Sequence, residues 1–227
     1  MTTTATLPAL LCAALSIPAY CQTRITACSG ADAWHTAHPE ESSEAIAERD
    51  ANRAFTNPKL RAELSERVAN DQAARRELLR SRAPRAHSVV LAIDENNIKW
   101  LHALVSDRGF PTVAEVGEQG MHEAWVLAQH ADRAPKFQAE LLPALEQRHA
   151  QGELSADDLA RFTDRVMVSQ NKPQRYGTQF PPEEMRSKWF GLPDEQAVRD
   201  VDARRRALGV MPLADYACMI SHARLGD

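Results

Sequence analysis

An all-α, multi-helix single domain is the fold class this sequence predicts. Long stretches place apolar residues at helical spacing, and several open on a cap residue or first-turn proline and close on glycine. No strand alternation is sustained and no repeat period appears. The 227 residues suffice for one core plus peripheral sequence. Apolar content of 44% with 26% charged residues argues against general disorder. A net charge of -4 leaves no basic surplus, and the aromatics are not interleaved with Lys or Arg, so no nucleic-acid partner is expected.

Residues 7–19, "LPALLCAALSIPA", have the length of a signal-peptide apolar region and are too short, and too broken by Pro8 and Pro18, for a stable membrane span. The expectation is a signal peptide over 1–21, a linker or arm over 22–40 and a helical domain over 41–222. A secreted or periplasmic location follows, with a cytoplasmic chain as the alternative, since "MTTTAT" lacks a basic residue and no small-x-small cleavage site follows. A Cys28–Cys218 bridge is open to an oxidising compartment, but spacing alone does not test it.

Within the domain, Asn57 caps a long helix with Pro58 in its first turn, and Leu60, Leu64, Val68, Ala69, Leu78 and Leu79 fall roughly on one stripe. Pro84 closes that unit. "HSVVLAI" (87–93) reads as a short strand or extended lead-in, and Asp94 as the cap of "ENNIKWLHALVSDRG", stopped by Gly109. A short helical turn, "TVAEVGEQG", precedes two helices separated at Pro135. Ser155 and Asp158 make a capping-box-like start for "SADDLARFTDRVMVSQ". An irregular polar loop near 170–182 then leads to two final helices.

Three segments carry candidate chemistry. In "MHEAWVLAQHAD", His122, Trp125, Gln129 and Asp132 share one helical stripe with His130 beside them. His130 suits acid/base work because imidazole titrates near neutral pH. Asp164, from "TDRV", is the better-placed orienting carboxylate, since His130 and Asp132 lie about 200° apart on an ideal helix. Arg165 is either an anion fork or half of a packing ion pair. "KPQRYGTQF" (172–180) offers Gln174, Tyr176, Thr178 and Gln179 around the turn permitted by Gly177, a set of neutral donors and acceptors suited to a pocket wall. The catalytic candidates are therefore His130 and Asp164, and the substrate-binding candidates Gln129, Asp132, Arg165, Gln174, Tyr176, Thr178 and Gln179. No metal site is expected, because H-x-x-x-H, H-E-x-x-H and CxxC spacings are missing. No cofactor is expected either.

The ordered set "DQAARREL", "NNIKWLHALVSDRGFPTVAEVGEQG", "AWVLAQHAD", "FTDRV" and "PQRYGTQF", followed by "VDARRRALGVMPLADY", resembles a bacterial family of unknown function over roughly residues 58–217. The resemblance implies a shared organisation, with Asp71, Gln72 and Arg75 joining Gln129, His130, Asp132, Asp164, Arg165, Gln174, Tyr176 and Gln179 at its polar positions. Three functions fit: a small cofactor-free enzyme acting on a polar or anionic substrate, a module binding a small polar molecule or peptide, or a structural protein with a buried polar network.

Overall fold

The helix boundaries follow the cap residues. In the computed structural model, which describes residues 28–222, the chain forms α1 (Ser29–Ala37), α2 (Ser43–Ala51), α3 (Pro58–Ser81), α4 (Pro84–Arg108), α5 (Val113–Gln129), α6 (Pro135–Ala150), α7 (Ala156–Ser169), α8 (Pro182–Met185), α9 (Glu195–Leu208) and α10 (Leu213–His222). The protein is an all-α single domain, with no strand among the described residues. The apolar stretch 7–19 lies outside them. No helix among them is long and apolar enough to cross a membrane.

Asn57 accepts from the Leu60 N–H, Ser155 from Asp158 and Asp194 from Ala197, each satisfying a donor that the first helical turn leaves without a backbone partner. Thr112 and Glu115 complete a full capping box at the start of α5. The segment 87–93, read from its β-branched residues as a strand or extended lead-in, is helical instead. It lies inside α4, which Pro84 opens and which runs unbroken through Asp94. Val90 is buried on this helix, so packing overrides the local preference of its Val pair. Part of the stretch read as an arm is α1, which packs against α10.

α5 breaks at Gly117, whose φ of 77° falls in the left-handed region. The helix restarts there, and its exposed donors are met from outside: Asp50 of α2 accepts from the Glu118 and Gln119 N–H groups at 2.9 Å each. A Cβ on Gly117 would come within 2.5 Å of that carboxylate. This one glycine thus permits both the kink and the cap.

Helices α3, α5 and α7 run parallel. Arg61 pairs with Glu123 and Asp71 with His130, in the same chain order on both helices. Likewise Asp158 pairs with His122 and Arg165 with Asp132. α4 and α6 return between them. The main apolar cluster lies among α3 to α7, around Leu64, Leu101, Val116, Leu141, Leu145 and Phe162. A smaller cluster gathers Ala31, Met185, Val201, Met211, Leu213 and Tyr216 from α1 and α8 to α10. Cys28 and Cys218 are joined by a disulfide across 190 residues, tying α1 to α10.

A cross-link closing so long a loop restricts the unfolded chain strongly. Cys28→Ser is expected to lower unfolding stability by about 2–4 kcal/mol, and wild type in reductant should match it. Equal urea midpoints for oxidised wild type and the variant would refute this.

Candidate functional site

The C-terminal end of α5 is the place where α3, α4 and α7 bring their polar side chains together. His130 sits just past the last residue of α5, and its Nδ1–H donates to Asp71 Oδ2 at 2.9 Å. Asp71 is sealed, with 1% of its side chain exposed, whereas His130 is 23% exposed. Among the described residues, Nε2 of His130 has no hydrogen-bond partner. Asp71 also accepts from Gln72 Nε2 at 3.0 Å and from Arg75 Nε at 3.1 Å, and Arg75 reaches on to Asp94. On the other flank, Arg165 donates to Asp132 Oδ1 at 2.7 Å. With its oxygen turned toward that guanidinium, the Gln129 amide accepts from Arg165 Nε at 2.8 Å.

Two carboxyls on one guanidinium shift in opposite directions. Burial acts to raise the Asp71 carboxyl, but the hydrogen bond and charge of His130, together with Arg75, hold it below the usual carboxylate range. Asp94 has no such imidazole bond. Burial lifts it above its usual value against the pull of Arg75, and the Asp71 charge adds to the rise. His130 therefore matters to the state of the carboxylate behind it. The carboxylate on His130 is Asp71, not the Asp164 or Asp132 that the sequence suggested.

Asp164 has different company. It is fully buried on α7 and accepts from the backbone N–H groups of Arg175 (2.6 Å), Tyr176 (2.9 Å) and Thr178 (2.8 Å) and from the Thr178 hydroxyl (2.9 Å). The polar run 172–180 thus wraps round one carboxylate. Gln174 Oε1 accepts from the Gln179 N–H, and Gln179 Nε2 donates to the Arg161 carbonyl. Tyr176 and Thr178 are buried. Gly177, at φ 71°, makes the turn, and a Cβ there would stand 3.1 Å from Leu213. From the far side, Arg205 donates to the carbonyls of Tyr176 and Met211, and the Tyr216 hydroxyl donates to that of Thr178. The guanidinium of Arg205 lies 4.7 Å from the Tyr216 ring centroid. No hydrogen bond joins this loop to α5 among the described residues.

A second histidine, absent from the sequence-derived site, has a carboxylate as well. Asp158 donates its backbone N–H to Ser155, as a cap requires, but its carboxylate turns to His122 Nδ1 at 2.9 Å. The Trp125 indole donates to the Asp158 carbonyl and stacks on His122 with centroids 5.2 Å apart. The His122–Trp125 stripe was visible in the sequence, but the partner lies 36 residues away and no local spacing reveals it. Asp71 was marked only by the "DQ" motif.

The sequence profile of a family described as a family of unknown function, DUF6624, matches residues 58–225. The chain belongs to DUF6624. The match runs from the start of α3 past α10, so it takes in both histidine–aspartate pairs and the Asp164 loop, while α1, α2 and Cys28 precede it. No curated protein and no solved structure gives a significant match.

Two measurements test these assignments. Removing the Asp164 carboxylate strands several buried donors, so Asp164→Ala should cost about 3–5 kcal/mol and Asp164→Asn less. Limited proteolysis should then cut within 170–180, and unchanged stability with a resistant loop would exclude the anchoring role. For His122, burial acts to lower the imidazole, but the bond and charge of Asp158 raise it above its ordinary 6.5. The folded state then holds that proton more tightly than the unfolded chain. Its stabilisation is complete below the unfolded value and is lost as pH rises through the folded one. An NMR titration should place the His122 midpoint above 6.5, and Asp158→Asn should bring it down. A midpoint indifferent to that substitution would rule out the pairing.

Proposed function

We propose that this protein is a small acid/base enzyme working at the exposed end of α5, with His130 exchanging the proton. One observation carries the reading. The imidazole is half-sheltered with Nδ1 fixed by a sealed, ionised Asp71, and Nε2 is left without a partner among the described residues. A buried carboxylate behind an accessible ring sets the tautomer and steadies the imidazolium formed when the ring takes a proton. Asp132 and Arg165, paired with Gln129 on the α7 side of the same helix end, are the groups proposed to contact the substrate. Gln174, Tyr176, Thr178 and Gln179, with Asp164, act as support: Gln174, Thr178 and Gln179 bond through their side chains within the loop and to α7, and Tyr176 through its backbone.

The charge balance favours a polar substrate that is neutral or cationic. Asp71, Asp94 and Asp132 face Arg75 and Arg165, a net charge of -1 with His130 neutral. Arg165 already serves Asp132 and Gln129, so it lacks the free fork that an anion would need. A structural network is the second reading, favoured by the way Arg75 ties α3 to α4 through Asp71 and Asp94. Export is part of the proposal, supported by the Cys28–Cys218 bridge and the apolar stretch 7–19. N-terminal sequencing of the protein recovered from cells checks it, and an intact Met1 would count against it.

Wild type, His130→Ala and Asp71→Asn should be assayed on panels of esters, amides, phosphoesters and glycosides, with melting temperatures in parallel. The expected result is turnover of one class, reduced about 10²–10⁴-fold in His130→Ala, with little loss of melting temperature. No turnover of any class, with both variants strongly destabilised, would replace the enzyme by the network.

A further inference from the structure

Where α1 meets α10, an imidazole lies against the disulfide. Cys218 and His222 are four residues apart on α10, so both fall on one face of that helix. Cys28 arrives from the cap position of α1. His222 Nδ1 stands 3.4 Å from Cys28 Sγ and 3.8 Å from Cys218 Sγ. Its Nδ1–H donates to the Cys218 carbonyl at 2.8 Å, a bond that holds the ring beside the two sulfurs. The three atoms lie within 4.8 Å of one another, on two half-buried cysteines and an exposed histidine. An ion can therefore reach them from solvent.

These spacings suit a metal. Tetrahedral zinc, with Zn–S of about 2.3 Å and Zn–N of about 2.0 Å, sets a nitrogen and a sulfur ligand about 3.5 Å apart and two sulfurs about 3.8 Å apart. Both nitrogen–sulfur distances already lie near that value, so only the sulfurs have to part. Two electrons from a dithiol do this: the S–S bond breaks, the dithiol closes to its own disulfide, and Cys28 and Cys218 become thiols. As a cation binds, the thiols release their protons to water and the imidazole proton moves from Nδ1 to Nε2, which opens the Nδ1 lone pair. Two thiolates and an imidazole select against Mg²⁺ and Ca²⁺, which prefer oxygen. We infer that Cys28, Cys218 and His222 bind Zn²⁺ once the disulfide is reduced, with water as the fourth ligand. Metal and disulfide are then alternative closures of one cross-link between α1 and α10. The site stands apart from the His130 reading and survives its failure.

Co²⁺ serves as a coloured probe on the full chain, reduced with a phosphine under inert gas and then freed of it. Reduced wild type should show thiolate-to-cobalt charge transfer and the intense visible bands of a four-coordinate ion, half-saturating at roughly micromolar metal. Zn²⁺ should bleach these bands and raise the melting temperature of the reduced protein, whereas Mg²⁺ should do neither. Oxidised wild type should stay colourless. His222→Gln, at an exposed position, should weaken binding about tenfold or more. Replacing Cys28 and Cys218 together by Ser should abolish the charge transfer. The chain's other cysteines, Cys12 and Cys21, are controlled by replacing both with Ser, which should leave the spectrum unchanged. Absent bands in the reduced protein, bands that survive loss of Cys28 and Cys218, bands lost with Cys12 and Cys21, or unweakened binding by His222→Gln would each overturn the proposal.

Discussion

The fully buried carboxylate of Asp164 joins the two apolar clusters of this protein. It projects from α7, a wall of the larger cluster, and gathers the backbone of 175–178, which then meets Arg205 and Tyr216 of the smaller one. A loop leaving one core for another must bury backbone donors and carbonyls midway, and these need partners. Asp164 supplies the acceptors and Arg205 supplies donors. Charge of each sign is thus set against the half of the peptide unit that it can satisfy. The arrangement explains why Tyr176, Gly177 and Thr178 are buried within so polar a stretch, and why the glycine faces Leu213 rather than solvent.

With that joint fixed, α5 becomes the central helix of the larger body, with α3 on one flank and α7 on the other. The parallel run of the three brings like heights together. Each flank carries two polar pairs, one toward either end of α5: Arg61–Glu123 and Asp71–His130 on α3, Asp158–His122 and Arg165–Asp132 on α7. These pairs differ in exposure. Glu123 lies buried beside Arg61, and burial raises its carboxyl. At the far end of α5 the helix stops and the chain turns toward Pro135, so His130 meets solvent on one side only. Accessibility there comes from helix termination rather than from any property of histidine.

Most of the fold was legible because its determinants are local. Asn57, Thr112, Ser155 and Asp194 each cap within three residues of their own position, and the apolar stripes follow from spacing alone. The exception at 87–93 is instructive: Val89 and Val90 suit a strand, and only their tertiary setting makes them helical. Capping also misled at Asp94, which has the chemistry of an N-cap but pairs with Arg75 in mid-helix. The candidate site was half legible. Its residue types could be found, whereas its pairings could not, since His130 and Asp71 lie 59 positions apart. The loop's Tyr, Thr and Gln were identified as hydrogen-bonding groups. That they would close on Asp164 depends on backbone N–H groups, which every sequence contains and none displays.

A polar group marks function only through bonding capacity that the fold leaves unused. By that standard the 172–180 loop, the richest in polar side chains, offers least, because Asp164, Arg161 and Arg205 account for its principal groups. His130 offers one nitrogen at a solvent-facing edge, with its other nitrogen locked. Its buried neighbour Asp71 fixes which end stays free, and so fixes the kind of partner that can complete it. For the imidazole that partner is any group able to give or take a proton.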